Sequence, residues 1–242
     1  MIHLHARLED GSTTSDVSAY THLRNTIREA GCDALLSFSA GDDGGRASHD
    51  QRLAIPEAGG DFSSLSGGSF NIGDRQYDNP PSYLREMAIR LRQSGVMPEI
   101  EIFDSGQLHG IHALINEGMI DPPFCIQFVF GVPGGMPIDE RLLPILIENL
   151  PAGAHWMVSC QTSDPLVHAR FMREAAAAGG HLRTGIEDIV FVAPGDYACS
   201  NVALVEQCTG YALSAGRSVA TSEEARRKVG KPAMPTIRRV SS

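Results

Sequence analysis

Lysine is almost missing from this 242-residue sequence: Lys228 and Lys231, both near the C-terminus, are the only two. No strand end therefore offers a lysine for a Schiff base with a carbonyl substrate. Paired cysteines are missing as well. Cys32, Cys125, Cys160, Cys199 and Cys208 are odd in number and form no CxxC, so they read as reduced, mostly buried thiols of a cytoplasmic protein. No apolar run approaches the roughly 18 residues of a membrane span, and the start carries no basic-then-apolar signal. Excess positive charge is absent too. A net charge of −9 argues against nucleic acid as the main partner, while one or two well-placed arginines would still suffice for a small phosphorylated substrate. No GxGxxG follows an early strand, which speaks against a dinucleotide site.

What is present is a regular alternation of short β-like and longer helix-like runs. Residues 1–7 read as a strand. Ser15 to Ala30 reads as a helix, with Val17, Tyr20, Leu23 and Ile27 at helical spacing and Thr14 or Ser15 as N-cap. Further strands are expected at 34–39, 62–65, 97–103, 124–130 and 155–159, and a last one within 182–192. Helices are expected at 81–93, 107–117, 139–149, 165–178 and 202–215, with a short one near 223–229 in a charged tail that begins at about 217 and ends loosely. The Gly/Ser-rich stretch 41–73 reads as two long βα loops. About seven βα units in a single domain over 1–242 fit either a doubly wound sheet or a barrel. Polar residues recur at many strand ends: His3/His5, Ser37/Ser39, Ser64/Ser66, Glu101/Asp104, Ser159/Gln161 and Glu187/Asp188. Such a ring of strand ends favours the barrel, whose site draws on many C-terminal strand ends.

His3 and His5 stand two apart on a strand and share a face. Two imidazoles so placed converge on one divalent ion when a third ligand arrives from elsewhere. The same pair also reads as two solvent-facing or hydrogen-bond-satisfied histidines near a frayed terminus. The candidate third ligand is Glu187, with Arg183, Gly185 and Glu187 on one face of the expected last strand and Asp188 beside them. Two adjacent carboxylates are costly to bury unless paired. A metal on Glu187 and a guanidinium on Asp188 would remove that difficulty, and a solvated strand end is the other reading. His22, His49, His112 and His168 are expected on helices or loops facing solvent, and Trp156 in the core.

Eight stretches carry a resemblance to a known family: IHLHAR at 2–7, SAGDDGGR at 39–46, LSGGSFN at 65–71, PEIEIFDSG at 98–106, FGVPGGMP at 130–137, GGHLRTGIEDIVF at 179–191, ACSNVALVE at 198–206 and GRSVATSEEAR at 216–226. The sequence resembles the β-keto acid cleavage enzymes, including 3-keto-5-aminohexanoate cleavage enzyme. The resemblance implies an α/β fold, a (β/α)8 TIM barrel. It implies a retro-Claisen exchange in which a β-keto acid and acetyl-CoA give acetoacetate and a new acyl-CoA. It implies one zinc ion per chain on His3, His5 and Glu187, with Asp188 as general base, Arg183 orienting it and Glu101 as a supporting carboxylate. Ser39 and Ser69 match substrate contacts, and Gly134 and Gly135 a loop beside the substrate. A homo-oligomer, dimer or tetramer, is implied as well.

Two departures stand out. The family has a strand with an acidic residue ahead of the HLH segment. This sequence has none there, so the barrel is expected to lack its first strand and to leave an edge open. Where the family carries a Ser/Thr-Gly-Gly run, this sequence reads Ser39-Ala40-Gly41-Asp42, and the acids Asp42 and Asp43 suggest a cationic or polar substrate. Two other functions compete with acyl exchange. One is a zinc barrel hydrolase or aldolase using the same ligands, marked by independence from acetyl-CoA. The other is a truncated, non-catalytic barrel subunit.

Overall fold

A computed structural model describes residues 1–234 of the chain. In chain order the elements are β1 (Ile2–Leu4), α1 (Val17–Glu29), β2 (Leu36–Phe38), α2 (His49–Ala54), β3 (Phe62–Ser66), β4 (Phe70–Ile72), β5 (Arg75–Tyr77), α3 (Pro81–Gln93), β6 (Met97–Ile102), α4 (Gln107–Asn116), β7 (Cys125–Phe130), α5 (Leu142–Glu148), β8 (His155–Cys160), α6 (Pro165–Ala177), β9 (His181–Leu182), β10 (Phe191–Ala193), β11 (Asp196–Tyr197), α7 (Asn201–Ser214) and α8 (Ser222–Lys228). Seven strands follow one another in one sheet in the order β1-β2-β3-β6-β7-β8-β9. The pairings β1–β2, β2–β3, β7–β8 and β8–β9 are all parallel. The fold is α/β, with the strands of the main sheet in the sequential order of a (β/α) barrel. The chain divides into two compact units, one of residues 1–65, 80–99 and from 220 onward, the other of residues 66–79 and 100–219.

In the first unit the helices start where side chains satisfy their open N–H groups. The Asp16 carboxylate accepts from Ser18 N at the head of α1, so the cap is Asp16 and not Thr14 or Ser15. α3 opens with Pro81 at its first position, where the missing N–H costs nothing. α2 is closed by a reciprocal pair, Gln51 N to the Ser48 side chain and Ser48 N to the Gln51 side chain. That helix stands in the 41–73 stretch expected to be loop, because a local capping box outweighs the glycine and serine content around it, while β3 lies where the strand at 62–65 is expected. Tyr20, Leu36, Phe38, Ile55, Phe62, Met87 and Leu91 are buried in this unit, and the rings of Tyr20 and Phe38 lie 5.1 Å apart. The charged segment beyond 217 also contributes here. α8 has its own capping box, Thr221 with Glu224, and its Arg226 is only 2% exposed. Asp61 accepts from Arg226 Nη1 at 2.9 Å and Nη2 at 3.1 Å, from Arg28 Nη2 at 2.8 Å and from Leu36 N at 2.9 Å. The loose end expected of this segment lies beyond residue 234, outside the described residues.

In the second unit all six residues of β7 are buried, the signature of a strand covered on both faces. Phe130 packs on Phe171 of α6 with ring centroids 4.7 Å apart. The last strand of the main sheet is much shorter than expected. β9 ends at Leu182, residues 185–188 form a turn in which Asp188 N and Ile189 N both bond to Gly185 O, and Phe191–Tyr197 is a separate antiparallel hairpin. Arg183, Gly185 and Glu187 therefore do not alternate along one strand.

His168 on α6 is likewise not solvent-facing. It is 1% exposed, and its Nε2 has no hydrogen-bond partner among the described residues. Burial pushes its pKa from 6.5 down to about 4. Between those values the unfolded chain binds a proton that the native chain does not, so stability is lost as pH falls through this window and is unaffected above it. From pH 7.5 to pH 5 the expected loss is about 2 kcal/mol from this group. Urea unfolding at both pH values, compared with His168→Leu, measures it. Equal acid sensitivity of the two proteins would count against the assignment.

Candidate functional site

In the first unit the site begins on β1. Ile2 N bonds to Leu35 O and Ser39 N to Leu4 O, so β1 is held in register with β2, His3 opposite Ser37. His3 and His5 turn their rings toward each other, with Nε2 atoms 3.3 Å apart and centroids 5.2 Å apart. His3 Nδ1 lies 3.0 Å from Glu99 Oε2, and Ser37 Oγ donates to the same oxygen. The Glu99 side chain is fully buried, and that of His3 is 8% exposed. The end of β2 is held from both sides. Ala40 N donates to Ser64 Oγ at 2.8 Å, and Arg52 Nε to Ala40 O at 2.8 Å. Ser39 is buried beside it, its hydroxyl accepting from Gly41 N at 3.2 Å and its carbonyl from the Tyr20 hydroxyl at 2.8 Å. Asp43 has a left-handed φ of 50°, and its carboxylate accepts from Ser15 Oγ at 2.6 Å, which gives it a structural task in the loop after β2.

In the second unit the site is a guanidinium among carboxylates. Arg183 N continues the sheet by donating to Val158 O at 2.9 Å. The turn that follows is held by Asn201 at the head of α7, whose Oδ1 accepts from Ile186 N at 2.9 Å. A side chain at Gly185 would meet that same oxygen at 3.0 Å, so glycine is what lets Asn201 close in. The turn places Glu187 one helical step from Arg183, whose Nη2 donates to Glu187 Oε2. Arg183 Nε lies 3.5 Å from Asp188 Oδ2, and Nη1 lies 3.9 Å from Glu101 Oε1. Glu101 also accepts from Ser66 Oγ at 3.0 Å. Asp188 is 3% exposed, and its carbonyl accepts from Thr162 N at 3.1 Å. The Glu187 side chain, by contrast, is 43% exposed.

Ser69 and the two glycines fall in the same unit. The Ser69 hydroxyl accepts from Asn79 N at 2.7 Å and donates to Asp78 at 3.3 Å, so it holds the segment that follows β5. Gly134 has φ 92°, and any side chain there would collide with the Asn71 carbonyl. A side chain at Gly135 would stand 2.9 Å from Phe103 O. Both glycines let the loop after β7 close on its neighbours. Two nearby thiols are excluded as nucleophiles. Burial, reinforced by the charge of Asp188, pushes Cys160 up to about 12 and Cys208 up to about 11, so both stay protonated at neutral pH.

The sequence reading passes over Glu99 and Asn201 and marks Ser37 only as a polar strand end. Glu99 had a legible signal, because the alternation in Met97–Ile102 gives Glu99 the same face as Glu101. Ser37 shared its register with His3 only once the strands paired, and nothing in the sequence pointed to Asn201.

A family model described as beta-keto acid cleavage enzyme matches residues 1–230. The 3-oxoadipate:acetyl-CoA acetyltransferase of Cupriavidus necator is 33% identical over 237 residues, 97% of this chain and 82% of that protein. The 3-keto-5-aminohexanoate cleavage enzyme of Acetoanaerobium sticklandii is 33% identical over 231 residues, 95% of this chain and 83% of that protein. Among solved structures, the apo structure of ObcA matches with a TM-score of 0.76 at 19% identity, covering 95% of this chain. At that identity the likeness is one of fold, and the chain spans 61% of the length of that structure.

Proposed function

Since the chain belongs to the beta-keto acid cleavage enzyme family, we propose that it cleaves a β-keto acid by retro-Claisen exchange with acetyl-CoA, giving acetoacetate and a new acyl-CoA. His3, His5 and Glu187 make up a donor set, two imidazoles and a carboxylate, suited to one divalent ion, and zinc accepts this combination. The observation that carries the reading is His3 itself: its Nδ1 is committed to buried Glu99, and its Nε2 is turned onto Nε2 of His5. Relatives named for acetyl-CoA transfer or for β-keto acid cleavage support the substrate pair.

When bound, the ion supplies Lewis-acid polarisation of the substrate's keto oxygen. The remaining work falls to side chains. Asp188 takes a proton from the carbon between the two carbonyl groups, the most acidic C–H of a β-keto acid. Arg183 holds Asp188 through Nε and Glu187 through Nη2, and Glu101, anchored by Ser66, steadies the guanidinium from a third side. Ser39, Ser69, Gly134 and Gly135 are the proposed substrate contacts, with the two glycines and Ser69 shaping the loops they stand in. A homo-oligomer and a cytoplasmic setting belong to the same reading. Exposed Val202, Val205 and Leu213 on α7 support the first, and five free cysteines the second.

The test is the metal content of the purified chain beside the His3→Ala/His5→Ala double variant, followed by assay with acetyl-CoA and a panel of β-keto acids. About one zinc per chain, lost in the variant, with acyl-CoA formed, is the expected result. A folded protein that holds no metal and forms no acyl-CoA would sink the reading. Turnover without acetyl-CoA would turn it toward a hydrolase or aldolase.

A further inference from the structure

Glu99 takes part in no step of the proposed reaction, yet it is a fully buried carboxylate, and burying one is costly unless it is well paired. Its Oε2 is met from two sides, by Ser37 Oγ and by His3 Nδ1 at 3.0 Å. Ser37 is itself fully buried and stands directly opposite His3 in the β1–β2 register. The three side chains come from three different strands, β1, β2 and β6, so their meeting is a built arrangement and not a local turn. The contact is on the far side of the imidazole from His5, because Nδ1 faces Glu99 while Nε2 faces Nε2 of His5.

We propose that Glu99 and Ser37 are positioning residues that set how tightly His3 holds a divalent ion, an inference that rests on the metal-centre reading above. A carboxylate accepting the Nδ1 proton holds the imidazole in the tautomer whose Nε2 is a lone pair, fixes the ring plane and pushes electron density toward Nε2. Ser37 does the same one step further out. Its hydroxyl has a single proton, and giving it to Oε2 fixes the carboxylate in the orientation that meets Nδ1. Partners of this kind behind a metal-bound histidine change metal affinity by about 10–100-fold when removed.

The experiment uses the full chain as wild type, Glu99→Gln, Ser37→Ala and His3→Ala. Affinity for Zn2+ is read by competition with a chromophoric chelator, the visible spectrum of the Co2+ form is recorded, and unfolding temperatures are taken with and without metal. Glu99→Gln keeps the side-chain shape but not the charge, and it is expected to weaken Zn2+ binding about 10–100-fold, to alter the Co2+ spectrum and to shrink the stabilisation gained on adding metal. Ser37→Ala removes one small donor. It is expected to shift affinity in the same direction by a few-fold and keeps the test open if Glu99→Gln fails to fold. Unchanged affinity and an unchanged Co2+ spectrum in a folded variant would overturn the proposal. So would a loss of stability that is equal with and without metal, because it would make Glu99 a purely structural partner. His3→Ala separates the two levels. If wild type binds the ion and His3→Ala does not, the metal centre stands, and the affinities of the other two variants decide the roles of Glu99 and Ser37 alone. If wild type binds no ion, both readings fall together.

Discussion

Asp188→Asn is expected to lower the rate of acyl-CoA formation by about 10²- to 10⁴-fold, the usual range for loss of a general base, while the bound metal stays near the wild-type amount. Asparagine preserves the shape of a side chain that is 3% exposed and can still meet Arg183 Nε, which lies 3.5 Å from Oδ2. What it cannot do is take up a proton. Glu187→Gln is the informative partner. Glu187 is proposed as the third ligand, so its loss is expected to lower metal content as well as rate. Steady-state kinetics beside metal analysis of both variants distinguish the two roles. Asp188→Asn at wild-type speed would remove Asp188 from the chemistry and leave Arg183 without the function assigned to it. Arg183→Lys is no substitute in such an experiment, because one ammonium cannot present Nε and two Nη groups to three carboxylates.

Asp61→Ala is expected to destabilise the chain by about 3–5 kcal/mol, the range for breaking a buried ion pair from one side. The reason is the company Asp61 keeps. It is the common acceptor for Arg28, for buried Arg226 and for Leu36 N, and removing it leaves two guanidinium groups facing each other's charge. The side chain of Arg226 is only 3% exposed, so water does not restore what the carboxylate supplied. Arg226→Met is expected to cost clearly less, because the carboxylate keeps Arg28 and the hole is refilled by an apolar chain of similar length. For a chain of this size each kcal/mol lowers the melting temperature by about 2–4 °C, so the two variants should be resolved by thermal unfolding. Equal losses for Asp61→Ala and Arg226→Met would show that packing of α8, and not the ion network, carries the stability.

How far each feature was legible depends on the range over which it is written. α3 and α4 start where reading predicts them and end within a residue of it, because Pro81 at a first helical position and a 3.6-residue apolar rhythm act within a turn or two of chain. β7 was legible for a similar reason, as an apolar run interrupted only by Gln127. α2, in a stretch expected to be loop, shows the limit. The Ser48–Gln51 capping box is local and present in the sequence, but composition averaged over the stretch hides a signal carried by two residues. The stretch after β9 differs for another reason. A period of two suits Arg183, Gly185 and Glu187 as well as a turn does, and Asn201, 15 residues away, makes the choice by capping Ile186 N.

The chemistry-bearing residues His3, His5, Arg183, Glu187 and Asp188 were already marked by their spacing and by their resemblance to a family, as was the alternation of strand and helix that makes an α/β barrel. These depend on residue type and on neighbours a few positions away. Which side chains stand behind them was settled only by the fold. Glu99 reaches His3 across 96 positions, and Arg226 reaches Asp61 across 165. His168 lost its exposure to neighbours that no local pattern names. A buried charge or imidazole takes its state from whatever the folded chain brings within about 4 Å of it, and that set of neighbours is a property of strand order and register, not of the residues on either side.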